Sequence, residues 1–224
     1  KGQKNLIKHT RKINPNAIVI TGDLIDSRKT DVKEFNVFKA YLSEAIKIAP
    51  IYYVSGNHEQ RSAIYNELRE ELKAIGVINL DDSITSINIA GESIGLIGLS
   101  DIYSMGPDYM NEESKIKFKQ KLLNIKSKSE NKFNILLSHR PELIDIYASS
   151  NADLVFSGHA HGGQVRIPYV VGLIAPSQGL IPKYTDGIHT VNNTSMIISR
   201  GLGNSLIPIR VFNRPELVVT TLSR

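Results

Sequence analysis

Four of the five short apolar runs in this chain end on the same punctuation, a Gly- or Ser-led motif that carries Asp or His. AIVIT (17–21) runs into GDLID (22–26), IYYV (51–54) leads to GNHE (56–59), FNILL (133–137) to SHRPE (138–142), and DLVF (153–156) to GHAH (158–161). Together with VINL (77–80), these runs are β-branched or aromatic and have the length of buried strands. In an open α/β sheet the crevice at the carboxyl ends of the strands is where sites assemble, so residues distant in sequence converge there. The pattern therefore restricts the chain to an α/β architecture with its chemistry at strand ends.

Helical periodicity fills the intervals. Residues 31–48 place Phe35, Phe38, Leu42, Ala45 and Ile46 on one face, with Asp31 and Glu34 spaced as a capping box. Residues 61–75 repeat the design with Ile64, Leu68, Leu72 and Ile75, and Gly76 is placed to terminate the helix. From residue 84 the texture changes: SITSINIA, Gly91-Glu92 and SIGLIGLS read as a β-hairpin, and VNNTSMIISR, IPIRVFN and ELVVTTL read as further strands. No repeat, linker or composition break divides the sequence. The expectation is one domain over 1–224 with two stacked sheets and helices on the outer faces.

Composition narrows the function classes. At 224 residues, 41% hydrophobic and 22% charged, the chain reads as an ordinary globular protein. Without cysteine it has neither disulfides nor thiolate ligands, so any metal must be held by nitrogen and oxygen. The formal charge of +5 favours anionic partners, but it sits largely in the Lys-rich stretch 115–132. There Ile116, Leu122, Leu123 and Ile125 are expected to form the buried stripe of a solvated helix, and no nucleic-acid motif is present. No apolar run reaches the length of a membrane span, and the start has no signal-peptide core.

Carboxylate, amide oxygen and imidazole together suit Mn, Fe, Zn or Co better than Ca or Mg. Each motif alone has an ordinary structural explanation: a Gly-Asp turn, an Asn-His turn, a histidine before a proline-led helix, a His-x-His loop. The conjunction carries the weight. His58, His139, His159 and His161 lie in the motifs and are four of the six histidines, while His9 and His189 read as surface residues.

The ordered set GDLID, GNHE, SHRPE and GHAH resembles the motifs of the calcineurin-like metallophosphoesterases, and GHAHGGQVRIP, APSQGLIPKY, SRGLGNS and PIRVFNRPEL resemble a bacterial branch of that superfamily. The likeness implies a four-layer α/β/β/α sandwich of two mixed sheets flanked by helices, with two divalent transition-metal ions (Mn, Zn or Fe). It implies that Asp23 bridges both ions, that Asn57, His139 and His159 complete one site, and that His161 serves the other. His58 is then a catalytic group rather than a ligand, assisting the leaving oxygen, with Glu59 orienting it. The family's first motif, Asp-x-His, does not occur in these residues. The sequence is read as beginning just after it, N-terminally incomplete with the first strand missing, which leaves Asp23 and His161 as the visible ligands of the second ion.

The expected activity is metal-dependent phosphoester hydrolysis, of phosphodiesterase or pyrophosphatase type, by a hydroxide activated between two ions. The alternative is a catalytically impaired metal-binding scaffold that recognises an anionic partner. The substrate expected is a phosphoester or pyrophosphate, lipid-linked or nucleotide-linked. Residues 167–182 are apolar and either line a groove or pack on the sheet, and Arg140, Arg200 and the loop around Asp101 and Tyr103 are candidate substrate contacts. The resemblance points to a membrane-associated or exported parent protein, otherwise a cytoplasmic one.

Overall fold

A computed structural model describes residues 2–28, 32–89, 91–166, 172–203 and 209–223. It divides into two compact units, residues 1–139 and 140–224. Both contain mixed α/β sheets with helices beside them, the layered arrangement of a calcineurin-like sandwich.

The first unit opens with α1 (Gly2–Ile13), β1 (Ile18–Ile20), α2 (Val32–Ala45) and β2 (Ile51–Tyr53). It continues through α3 (Asn57–Arg61), α4 (Tyr65–Ile75) and β3 (Ile78–Asn79). Strands β1, β2 and β3 form a parallel sheet in which Ile18 faces Ile51 and Ile20 faces Tyr53. The parallel register matters for the site, because the residues after Ile20 and after Tyr53 leave the sheet at the same edge. Leu42 and Ala45 of α2 and Leu68 and Leu72 of α4 bury against Ile51, Tyr53 and Val77, each large aliphatic contributing about 1.5–3 kcal/mol. Gly76 ends α4 at φ 96°, where its N–H reaches the carbonyls of Leu72 and Lys73, as the sequence predicts. The proposed capping box fares differently, since Asp31 and the Glu34 side chain lie outside the described residues.

A second sheet segment follows. The hairpin β4 (Ser83–Ile89) and β5 (Glu92–Gly98) is antiparallel, and β6 (Asn134–Leu137) joins β5 in parallel, pairing Leu96 with Ile135. Between them runs α5 (Glu112–Lys126), capped by the Asn111 side chain on the Ser114 N–H. Its buried face is Ser114, Phe118, Leu122 and Ile125. Ile116 and Leu123 of the expected stripe are exposed instead, because seven-residue spacing places them together on another face of the helix.

The second unit contains a 3-10 turn (Pro141–Leu143), α6 (Ile144–Ser149), β7 (Leu154–Ser157) and a short hairpin of β8 (Ile174–Ala175) and β9 (Gly179–Leu180). It closes with β10 (Gly187–Val191) and β11 (Thr194–Ile198), which pair antiparallel, while β11 lies parallel to β7. Residues 216–222 carry the β-branched pattern expected of a strand but have no ladder partner among the described residues. Propensity of that kind describes fit to a sheet surface and does not by itself form a strand. No helix among the described residues is long and apolar enough to cross a membrane.

Candidate metal centre

In the first unit, the loops after β1, β2 and β6 meet. The chain turns out of β1 through Gly22 and Asp23, both left-handed at φ 94° and φ 55°. That conformation is costly for aspartate and persists where the surroundings hold it. Gly56 makes the approach possible: a Cβ there would strike the Asp23 carboxylate and stand 2.9 Å from His139 Cε1. A Cβ on Gly22 would likewise run into the Gly56 backbone.

The clamp that holds the Asp23 turn is Glu59. Its fully buried carboxylate accepts the N–H groups of Asp23 (2.8 Å), Gly56 (2.8 Å) and Ile25 (3.1 Å). Burial and the charge of Asp23 push the Glu59 carboxyl above its ordinary range, and the three backbone donors pull against that shift. Sequence reasoning assigns Glu59 to orient His58. The structure gives it a different task, tying the Asp23 loop to the start of α3. The spacing Gly-x-x-Glu at 56–59 was the available signal, since a glutamate at the third helical position accepts the N-cap N–H.

His139, 1% exposed, donates from Nδ1 to the Thr21 carbonyl at 2.6 Å and turns Nε2 toward Asp23 Oδ2 at 3.2 Å. Burial alone would depress the ring's pKa. The charge and hydrogen bond of Asp23, the charge of Asp101 and the Thr21 carbonyl outweigh it, raising the pKa to about 9. Asn57 begins α3, is 5% exposed, and its buried Oδ1 has no hydrogen-bond partner among the described residues. Its backbone neighbour is tied down, with the His58 N–H donating to Asp23 Oδ1 at 3.1 Å.

His58 is only partly buried. The Ser27 N–H and Oγ both lie 3.1 Å from its Nδ1, and Asp26 Oδ1 lies at 3.3 Å. A backbone N–H can only donate, so Nδ1 accepts and the proton of the neutral ring sits on Nε2. Arg28 grips Asp26 through Nε (2.8 Å) and Nη2 (2.7 Å), and this hydrogen bonding holds the Asp26 carboxyl down at about 2. Behind the loop, Asp81 accepts from the Ser55 N–H (2.8 Å) and hydroxyl (3.0 Å) and from the Tyr65 hydroxyl. Neither Asp81 nor Arg28 sits in a motif, so no sequence signal pointed to them.

In the second unit, His159 and His161 follow β7 as a pair, both with positive φ (61° and 48°). His159 is buried, with its Nε2 approached by Arg140 Nη1 at 3.4 Å. Arginine only donates, so that nitrogen presents its lone pair. Asn213 supports the loop by donating to the carbonyls of His161 (2.6 Å) and Gln164 (3.1 Å).

The substrate-contact candidates separate clearly. Arg140 is 1% exposed and engaged with Glu142 and Ser177, so it is an internal brace. Arg200 is paired with Glu216, and Asp101 is buried, capping the 3-10 turn Ile102–Met105 through the Tyr103 N–H. Of the apolar stretch 167–182, residues 167–171 lie outside the described residues, Ala175 is buried, and Leu180 and Ile181 are exposed.

The first-unit residues fit a divalent transition metal. An unpartnered buried amide oxygen, a carboxylate and an imidazole nitrogen aimed at that carboxylate are an N/O donor set. The orphaned Asn57 oxygen would cost about 1–3 kcal/mol without a partner, and a cation supplies one. The proton shared by His139 and Asp23 is the kind that metal binding displaces.

Residues 2–163 match the family described as Calcineurin-like phosphoesterase. The chain is 29% identical over 226 residues to YkuE of Bacillus subtilis, an uncharacterized metallophosphoesterase, covering 98% of this chain and 72% of that protein. It is 26% identical to the phosphodiesterase YaeI of Escherichia coli, covering 93% of this chain and 70% of YaeI. Among solved structures, TT1561 of Thermus thermophilus superposes with a TM-score of 0.58 at 15% identity, over 88% of this chain and 81% of that one.

Proposed function

Given that the chain belongs to the calcineurin-like phosphoesterase family, we propose that it binds a divalent transition-metal ion at Asp23, Asn57 and His139 and recognises a phosphoester-type anion there. Asp23, His139 and His159 each offer one ligand atom. The observation that carries the reading is the meeting of Asp23 and His139 beside the unpartnered oxygen of Asn57. The family match crosses the boundary between the two units at residues 139 and 140, which supports their acting as a single metallophosphoesterase domain.

The second ion of the family pattern fits less well, because Asp23 and His161 are the donors the motifs supply for it. These residues by themselves are therefore proposed to be a metal-binding scaffold with impaired turnover. A bound ion of this class polarises a phosphoryl oxygen and activates water. Asp23, held by Glu59, keeps its carboxylate in place; Asn57 and His139 orient from rigid loop positions; the bracing of Nδ1 leaves the His58 Nε2 proton available to a leaving oxygen.

That placement of His58 favours a second reading, two-ion hydrolysis of a phosphodiester or pyrophosphate, since a pure binding scaffold does not require a braced non-ligand histidine. The name of YaeI supports the diester class. Elemental analysis after equilibration with Mn, Zn or Fe decides between the readings. One ion per chain with anion binding and negligible turnover upholds the scaffold; two ions with turnover of bis(4-nitrophenyl) phosphate replaces it with the hydrolase; no ion refutes both.

A further inference from the structure

One turn along α3 from His58 stands Arg61, exposed and with no carboxylate partner among the described residues. Its guanidinium lies 4.7 Å over the Tyr103 ring, and Nη2 reaches the Tyr109 hydroxyl at 3.5 Å. The two tyrosines pack ring to ring at 5.1 Å with a 55° tilt. Cation–π stacking of this kind is worth about 0.5–1 kcal/mol at an exposed site, enough to bias the rotamer of a long side chain without using up its donors. Four of the five arginine N–H groups thus have no hydrogen-bond partner among the described residues, while the ring beneath biases where the charge sits.

Position gives this cluster its meaning. Residues three apart on a helix share a face, so Arg61 and His58 project from the same side of α3. Guanidinium is the side chain that matches two phosphate oxygens at once.

From this placement we infer that Arg61, seated on Tyr103 and Tyr109, forms a subsite for a second phosphate carried on the leaving side of the substrate. The inference rests on the proposed metal centre and on the proposed role of His58, and it deepens that reading from a phosphoester to a substrate with two linked phosphates. Arg61 is then a specificity residue, and the tyrosines position it.

The test is calorimetric titration of the manganese-equilibrated chain with two probes that differ by one phosphate. These are dimethyl phosphate and the P,P′-dimethyl ester of methylenediphosphonate, which does not hydrolyse. The wild-type chain binds the two-phosphate probe about tenfold more tightly, the size of one charge-assisted hydrogen bond. Arg61→Ala abolishes that preference and leaves manganese and dimethyl phosphate binding unchanged, Arg61→Lys keeps part of it, and Tyr103→Leu reduces it about two- to fivefold. Equal affinities in the wild type, or a preference that survives Arg61→Ala, overturn the subsite while leaving the metal centre standing. Failure of the chain to bind manganese, read before either probe is added, overturns the metal centre and the subsite with it.

Discussion

Glu59 accepts the Asp23 N–H at 2.8 Å, and with the same oxygen it accepts the N–H of Gly56 at 2.8 Å. One buried carboxylate oxygen therefore sets the separation of the loops that leave β1 and β2, and so the position of the Asp23 side chain relative to Asn57. Geometry at the metal centre depends on a residue that is not itself a ligand.

Glu59→Gln tests this directly. The amide turns an N–H₂ group toward at least one backbone donor, leaving a buried N–H unpaired at a cost of about 1–3 kcal/mol. Urea unfolding should show that loss, and manganese affinity should fall at least about tenfold as the Asp23 loop relaxes. Unchanged manganese affinity would mean that the loop keeps its shape without the clamp.

Asn57→Ala separates stability from binding. Removing a buried acceptor that has no partner leaves metal-free stability unchanged or raises it by about 1 kcal/mol. The same substitution removes a proposed ligand, so the rise in Tm on adding manganese should shrink or vanish. A metal-free Tm well below wild type would show that Asn57 is structural.

His58→Ala addresses the chemistry. His58 is braced by the Ser27 N–H and is only partly buried, so its loss leaves the fold and manganese stoichiometry intact. If the two-ion reading holds, turnover of a diester falls about 10²-fold or more. Loss of manganese together with turnover would make His58 a ligand instead.

Asp81 predicts a pH dependence away from the metal centre. Burial pushes its carboxyl above the ordinary 3.8, against hydrogen bonds from Ser55 and Tyr65. Because the folded value is raised, its contribution to stability is fully present below pH 3.8 and is lost as pH rises through the folded value. Asp81→Asn removes that loss, so the difference in unfolding free energy between variant and wild type shifts in the variant's favour across that window. A constant difference across the window would show that Asp81 titrates as it does in the unfolded chain.

Much of the fold could be read from local pattern, for reasons visible in particular elements. Ile18–Ile20 and Ile51–Tyr53 are strands because their apolar side chains must be covered, and Leu68 and Leu72 are buried because helical spacing aligns them. In α5 the same reasoning misplaced Ile116 and Leu123, since an apolar residue on a Lys-rich helix does not declare which face will meet a neighbour. The strand expected at 216–222 lacks a partner among the described residues, which no local propensity can supply.

The candidate site residues were legible because metal and acid–base chemistry demand particular atoms: the ligand candidates Asp23, Asn57, His139, His159 and His161 and the catalytic candidate His58 stand out by type and by their place after strands. What folding decided is how they are held. The left-handed turn at Asp23, the clasp of Glu59 on two loops, the tautomers imposed on His139 by Thr21 and on His58 by Ser27, and the stacking of Arg61 on Tyr103 join residues separated by about 30 to 120 positions. Hydrogen bonds of this length are direction-sensitive within tenths of an ångström, so only the packed chain determines them, whereas the identity of a donor atom is written residue by residue.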